Sequence, residues 1–281
     1  MALRAKKPEA IEKRLKALFY GGAGVGKTTA AIQFPMPYLI DTERGAENDQ
    51  YTKLLNKAGG VIFQTSDFDE LVKEVTALLT EKHGYKTLII DPLTTLYNDL
   101  IDKSAIKHGT DFGRHYSAAN KKIEHLINLL YRLDMNVIIT AHSKALYGQN
   151  MAIIGDTFDC YKKLDFVFDL VLEIQRRGKD RIALVKKSRI ESFANSDPFP
   201  FSYGAIAKYY GKDVLERDAI AQELAGEEQV KEVIRLIDLI KVPEEIYKKW
   251  LDKAGSEKWE EMPRDAIEKC IDHLKSKIQG E

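Results

Sequence analysis

The chain has 281 residues, 44% hydrophobic and 31% charged, enough for one α/β domain of about 200 residues with a small appendage, which excludes disorder as the main state. Its 43 basic and 43 acidic side chains balance, so nucleic-acid binding has to come from local patches, and a histone-like or tail-driven binder is excluded. Cys160 and Cys270 stand far apart and match no metal-ligand spacing, and neither an apolar leader nor a run of about 18 apolar residues occurs, so the expectation is a cytoplasmic protein with no membrane partner.

In chain order, the apolar run Leu18-Phe19-Tyr20 enters a glycine-rich turn, residues 21–26, and continues into Lys27-Thr28-Thr29-Ala30-Ala31-Ile32. This reads as strand, loop and helix. Pro35 and Pro37 stop that helix, and Tyr38-Leu39-Ile40 is a short buried strand ending in Asp41-Thr42-Glu43. Residues 61–63 form a third strand. Ser66 or Asp67 then caps a helix with Phe68, Leu71, Val72, Val75, Leu78 and Leu79 on one face, ended by His83-Gly84. Residues 87–91 read as a fourth strand, apolar on both faces as in a parallel sheet. Helix-period residues Ile123, Leu126, Ile127, Leu130 and Leu133 lead to a fifth strand at 136–141. The alternation predicts a mainly parallel sheet. From Phe166 the pattern changes to two strands, 167–174 and 182–185, joined by Arg176-Arg177-Gly178-Lys179-Asp180 as a terminal β-hairpin. Residues 226–281 read as a small helical module with breaks near Pro243, Gly255 and Pro263, behind a core of residues 1–225.

Gly21-Gly22-Ala23-Gly24-Val25-Gly26-Lys27-Thr28 fits the phosphate-loop pattern G-x-x-x-x-G-K-[S/T]. The backbone N–H groups of such a loop turn inward around phosphate oxygens, a geometry that side chains would obstruct. Lys27 is expected to neutralise the β and γ phosphates of ATP, the Thr28 hydroxyl to ligate Mg2+, and Thr29 to continue the cradle. Asp91, ending an apolar strand, is the candidate second magnesium residue, the alternative being a helix cap or turn aspartate. Glu43 stands where a carboxylate could face the γ phosphate and act on the attacking water, or it belongs to a solvated turn.

These residues resemble the RecA/RadA branch of P-loop ATPases, and within it the compact phage RecA-like single-strand annealing recombination ATPases. The resemblance covers residues 16–190 and is carried by Gly21 to Thr28, Asp41-Thr42-Glu43, Leu88-Ile89-Ile90-Asp91-Pro92-Leu93-Thr94, Ile138-Ile139-Thr140-Ala141-His142-Ser143-Lys144 and Lys187-Ser188-Arg189. It implies a RecA-like core, ATP hydrolysis with Mg2+, Glu43 as catalytic base, and His142 as the γ-phosphate sensor ending the fifth strand. Many relatives carry glutamine at the sensor position, so the histidine is a departure, with a capping role as its alternative.

Residues 176–190 hold seven basic side chains against one acid, Asp180. Lys187 and Arg189 project on one side of their strand, and the resemblance implies that this pair reaches the ATP of a neighbouring subunit in a homo-oligomeric ring or filament. Residues 103–115 and 143–163 read as long, irregular segments at the positions of the family's two DNA loops. Their candidates for single-stranded DNA are Lys107, His108, Arg114, His115, Tyr116, Lys144, Tyr147, Lys162 and Lys163. Residues 227–281 carry 11 basic and 14 acidic side chains, net −3, so the module is no electrostatic grip on DNA. Val230, Val233, Ile234, Ile237, Ile240, Trp250, Leu251, Trp259, Ile267, Ile271 and Leu274 are its expected core. It resembles the short helical modules appended to several phage recombination proteins, and its expected role is to bind a single-strand-binding or other recombination partner or to control assembly. The expected function is ATP-dependent single-stranded-DNA binding with annealing or strand exchange. Its rivals are a ring-forming helicase-type motor and an annealing protein that uses ATP only as an assembly switch. A nucleotide kinase is disfavoured because no arginine-rich lid is placed to clamp a second nucleotide.

Overall fold

Apolar runs that alternate with amphipathic stretches fold here into a sheet covered by helices on both faces. In the computed structural model, which describes residues 13–45, 49–193 and 197–279, β1 (Lys16–Gly21) passes through the glycine-rich turn into α1 (Lys27–Ala31). There follow β2 (Pro37–Asp41), α2 (Asp49–Ala58), β3 (Val61–Gln64), α3 (Phe68–Thr80), β4 (Thr87–Asp91), α4 (Leu93–His108), α5 (Arg114–Arg132) and β5 (Asn136–Tyr147). Then come β6 (Ile153–Phe158), α6 (Leu164–Val167), β7 (Leu170–Arg177), β8 (Asp180–Ser188), β9 (Phe199–Pro200), α7 (Tyr203–Tyr210) and α8 (Lys212–Glu216). The C-terminal helices are α9 (Glu227–Ile240), α10 (Glu244–Ala254) and α11 (Arg264–Gln279). Residues 1–12 lie outside the described residues.

The strand order is β3-β2-β4-β5-β1-β7-β8-β9, with β6 paired to β5 off this path. β1 to β5 and β7 pair in parallel, and β8, β9 and β6 are antiparallel additions. This is the expected α/β fold, a mostly parallel mixed sheet with flanking helices and a terminal antiparallel hairpin. Period-2 alternation splits each strand between two cores. Leu18, Tyr20, Ile90 and Ile139 pack against α3, α4 and α5, while Ala17, Phe19, Ile89 and Ile138 pack against α1, α2 and α7. Asp67 caps α3, accepting from the N–H groups of Asp69 at 2.8 Å and Glu70 at 3.0 Å.

Three segments depart from the sequence reading. Helix α2 was not anticipated, because its apolar stripe is short: Tyr51, Leu54 and Leu55 face the core within a polar run. Residues 103–108 are the end of α4 and residues 114–115 the start of α5, so the irregular stretch shrinks to residues 109–113. Leu93, Leu96, Tyr97 and Leu100 bury the first two turns of α4, whereas its last two turns outrun the core and lose the periodic signal. Residues 143–163 are likewise ordered, since β5 runs past Ala141 to pair with β6, Ser143 opposite Phe158 and Lys144 opposite Thr157. His142 therefore lies within a strand, at the root of a projecting hairpin, and does not end it.

A third apolar cluster joins α9, α10 and α11 through Val230, Val233, Leu236, Ile237, Leu251, Met262, Ile267, Ile271 and Leu274. Ile234, expected in this core, is exposed at the edge of the apolar face of α9, and Ile240, Trp250 and Trp259 pack only at the core's margin.

Burial sets up one titration. Lys16 Nζ is enclosed and donates to the carbonyls of Leu133 and Met135, both at 2.9 Å. Desolvation lowers its pKa from 10.5 to about 7. Between those values the unfolded chain binds the proton and the native chain does not, so stability rises with pH across that window, and the burial penalty is present in full only below pH 7. The unfolding free energy of the parent relative to Lys16→Met is therefore expected to increase from pH 7 to pH 10 in urea titrations. A pH-independent difference would refute the buried charge.

Candidate functional site

The glycine-rich turn hangs from the last residue of β1, and two of its glycines are sterically compelled. A Cβ on Gly21 would lie 2.4 Å from the carbonyl oxygen of Ile174 on β7, so the backbones of β1 and β7 can meet only at a glycine. Gly26, at φ +93°, is in a conformation that favours glycine and turns the chain into α1. Between them Gly22, Ala23 and Gly24 are exposed and Val25 is half-buried, while Thr28 and Thr29 lie in the first turn of α1. Lys27 folds back across the loop and donates to the carbonyls of Gly21 at 2.8 Å and Gly22 at 2.9 Å. Burial lowers its pKa, and the carboxylates of Asp91 and Glu43 oppose that shift.

Asp91 ends β4 on the far side of β5. Its carboxylate accepts from the Thr140 hydroxyl and from Thr28, and it faces Lys27; burial nevertheless raises its pKa. The Thr28–Asp91 pair joins the first helical turn after the loop to the end of an apolar strand. Among the described residues no group of three or more His, Cys, Asp or Glu side chains could hold a metal ion unaided. A hydroxyl, one carboxylate and an open glycine loop instead fit magnesium shared with phosphate oxygens, the cation that keeps its waters and takes few protein ligands.

Glu43 is presented by a short network. Asp41 Oδ1 accepts from the N–H groups of Glu43 at 3.1 Å and Gly45 at 3.2 Å. Thr42 is tied to β4, its N–H to Asp91 O at 3.0 Å and its hydroxyl to Pro92 O at 2.7 Å. The Glu43 carboxylate accepts from the Thr95 hydroxyl on α4, and His142 Nε2 lies 3.5 Å from Glu43 Oε1. His142 itself donates its N–H to Thr94 Oγ1 at 2.9 Å. The ends of β1, β2 and β4, with His142 inside the neighbouring β5, thus bring Lys27, Thr28, Glu43, Asp91 and His142 together. Thr94, Thr95 and Thr140 were missed in the sequence, although Thr94 and Thr95 stand in the helical turn directly after the Asp91 strand, where such support is to be sought.

Lys187 and Arg189 lie elsewhere. Lys187 pairs with Val171 and donates to the Phe168 carbonyl, while Arg189 donates to the Phe166 carbonyl and stands 3.7 Å from Asp169. The Arg189 N–H donates to Asp169 O, and the Asp169 N–H to Lys16 O. Arg189 is therefore level with the first residue of β1, five residues or about 16 Å along the strand from Gly21. The basic side chain that touches the loop within the chain is Arg181, at the other end of β8, its stem against Gly26.

Of the candidate DNA residues, Tyr116, Lys144, Lys162 and Lys163 line one cavity of about 580 Å³ with Tyr97 and Tyr161; Lys107, His108, Arg114, His115 and Tyr147 do not. Two of these lysines have acidic partners, Lys144 with Asp159 at 2.8 Å and Lys163 with Glu124 at 3.5 Å. The β5–β6 hairpin beyond His142 exposes Leu146, Tyr147, Met151, Ile153 and Ile154. No helix among the described residues is long and apolar enough to cross a membrane.

A family model described as an AAA domain matches residues 13–200. A solved structure of the RadB recombinase is similar at 18% identity over 62% of this chain and 80% of its own, with a TM-score of 0.40. No curated protein matches the chain.

The contact of Gly21 with β7 sets a stability expectation. Gly21→Ala forces a methyl group against backbone that cannot retract without parting β1 from β7, and should destabilise the fold by about 2–4 kcal/mol. Urea denaturation followed by circular dichroism measures this; a loss below about 0.5 kcal/mol would mean that the two strands separate freely at this point.

Proposed function

The chain belongs to the AAA domain family, a P-loop nucleotide-binding family, and from that premise we propose that it is an ATPase that binds single-stranded DNA and promotes annealing or strand exchange, of the compact phage type its motifs resemble. The observation that carries this reading is the Glu43–His142 pair, 3.5 Å apart beside the phosphate loop. β5 runs without a break from His142 into the exposed β5–β6 hairpin. A change at the γ phosphate is thereby joined through one strand to a projecting surface of aromatic and aliphatic side chains suited to unstacked bases.

In this reading the loop N–H groups and Lys27 hold the triphosphate. Thr28 and Asp91 would hold magnesium, which neutralises phosphate charge when bound. Glu43 orients the attacking water and takes its proton. Thr95 fixes the carboxylate of Glu43, and His142 reports whether the γ phosphate is present. Arg189 and Lys187 act in trans: their distance from the loop of their own chain and their position at the opposite edge of the sheet favour contact with a neighbour's nucleotide in a head-to-tail homo-oligomer.

Glu43→Gln should bind ATP as the parent does yet lose hydrolysis by at least about 100-fold, whereas Lys27→Ala should lose both. Parent turnover should rise with single-stranded DNA, and DNA affinity should fall steeply with salt. Indifference to single-stranded DNA at low salt, with or without ATP and magnesium, would remove the recombination reading, and directional duplex unwinding would replace it with a motor.

The trans role has its own test. Arg189→Ala and Lys27→Ala should each be nearly inactive, but mixed they should recover part of the hydrolysis wherever an intact Arg189 meets an intact loop across an interface. Absence of recovery in demonstrably mixed oligomers would assign Arg189 to a solvated face.

A further inference from the structure

The phosphate loop divides the sheet. Glu43, Asp91 and His142 come from β2, β4 and β5, all on one side of β1, while β7 and β8 lie on the other. A γ phosphate placed for attack beside Glu43 therefore directs the α phosphate and nucleoside towards β7 and β8. On that side stands Arg181. An ideal Cβ on Gly26 would lie 2.5 Å from Arg181 Nε and 2.6 Å from its Cδ, so the guanidinium stem rests directly on the last glycine of the loop, a contact that any side chain at position 26 would abolish. The backbone of Arg181 is anchored, accepting from the Phe201 N–H at 2.8 Å while Ile182 pairs with Pro200. Its guanidinium is exposed and has no carboxylate partner among the described residues, which leaves up to five donors available to an anion. By contrast, the neighbouring Arg176 already donates to Gly178 O at 3.0 Å.

We propose that Arg181 is a nucleotide-binding residue acting within its own subunit, its guanidinium engaging the α-phosphate end of the nucleotide held over Gly26. This rests on the nucleotide-binding reading of the loop and adds to it a division of labour along β8. The residue at the tip of the hairpin serves the chain's own nucleotide, and the pair at its root, Lys187 and Arg189, is left for a neighbour's. Because ADP and ATP share the α phosphate, Arg181 should contribute equally to both, unlike a residue that senses or stabilises the γ phosphate.

Titration calorimetry with ADP and with a non-hydrolysable ATP analogue, each with magnesium, tests this on the full chain. Arg181→Ala should raise both dissociation constants by a similar factor, about 10- to 100-fold. Arg181→Lys should fall in between, keeping the charge but losing the two-pronged contact. Arg177→Ala, a charge-matched change at the end of β7, should alter neither by more than about twofold. Turnover of Arg181→Ala at saturating ATP should stay within about threefold of the parent, so that the loss appears in KM. The inference fails if Arg181→Ala binds ADP within about twofold of the parent while Lys27→Ala loses it. It also fails if only the ATP analogue weakens, which would assign the guanidinium to the γ phosphate. If the parent itself binds neither nucleotide, the reading of the loop falls, and this inference with it.

Discussion

Parallel register between neighbouring strands is the constraint on which the candidate site depends. Gly21 is paired with His142 across β1 and β5, and Asp41 with Asp91 across β2 and β4. Strands aligned in one direction deliver their last residues to one edge, so residues separated by more than a hundred positions meet without any long-range polar contact having to draw them together. A slip of one residue in β5 would send the side chain of His142 to the opposite face of the sheet. What fixes the register is apolar: Leu18 and Ile139 face one helical layer, Phe19 and Ile138 the other, and a slip would exchange them. The polar chemistry is a passenger on this packing, which is why Thr42, Thr94, Thr95 and Thr140 only trim the positions of Asp91, Glu43 and His142, already brought close.

The antiparallel hairpin β7–β8 extends that logic beyond the parallel core. Its tip reaches the edge that carries the phosphate loop and its root reaches the opposite edge, so a single strand carries basic residues at both ends of the sheet. Gly21 is where this arrangement is held most tightly, by the Ile174 carbonyl, while the Arg181 stem rests on Gly26. A loop gripped by the hairpin on one side and bordered by Glu43 and His142 on the other is preorganised, and preorganised donors are worth more to a developing charge than flexible ones.

Much of this was legible in the sequence because its physics is local. The phosphate loop needs glycines at fixed intervals, the parallel strands need apolar residues on both faces, and the α3 cap needs a side-chain acceptor, so Gly21 to Thr28 and residues 87–91 could be read directly and the cap narrowed to Ser66 or Asp67, of which the structure uses Asp67. The meeting of Glu43 with His142 came from resemblance, since no spacing in the chain encodes it. Arg181 illustrates what was hidden. In the sequence it was one of seven basic residues in a run, and only the pairing of β8 with β7, and of β7 with β1, determines which of the seven lies on the loop. The two segments read as irregular failed for a related reason: α4 and β5 both continue beyond the core that gives their first halves a recognisable period, and exposed secondary structure leaves little hydrophobic pattern to read.

The helical module is attached to the C-terminal half of α5, where His125 Nδ1 lies 3.6 Å from Glu257 Oε1. Arg132, in the last turn of α5, donates to Gln222 Oε1 at 2.9 Å, to Gly255 O at 3.3 Å, to Ser256 Oγ at 3.2 Å and to Glu261 O at 2.7 Å, and Gly255 lies against Asn128 one turn earlier. The other end of the same helix places Tyr116 in the cavity shared with Lys144 and Lys163. A helix of 19 residues spans about 28 Å, and α5 buries Ile123, Leu126 and Leu130 along its middle, so it cannot tilt at one end alone. Any ligand that shifts α5 at Tyr116 must carry the Arg132 contacts with it or break them. Breaking them would strand a guanidinium that is half-buried in several hydrogen bonds, a cost comparable to losing a buried ion pair. One helix therefore carries both the cavity residue Tyr116 and the Arg132 anchor of the module, with its buried middle fixing the distance between them.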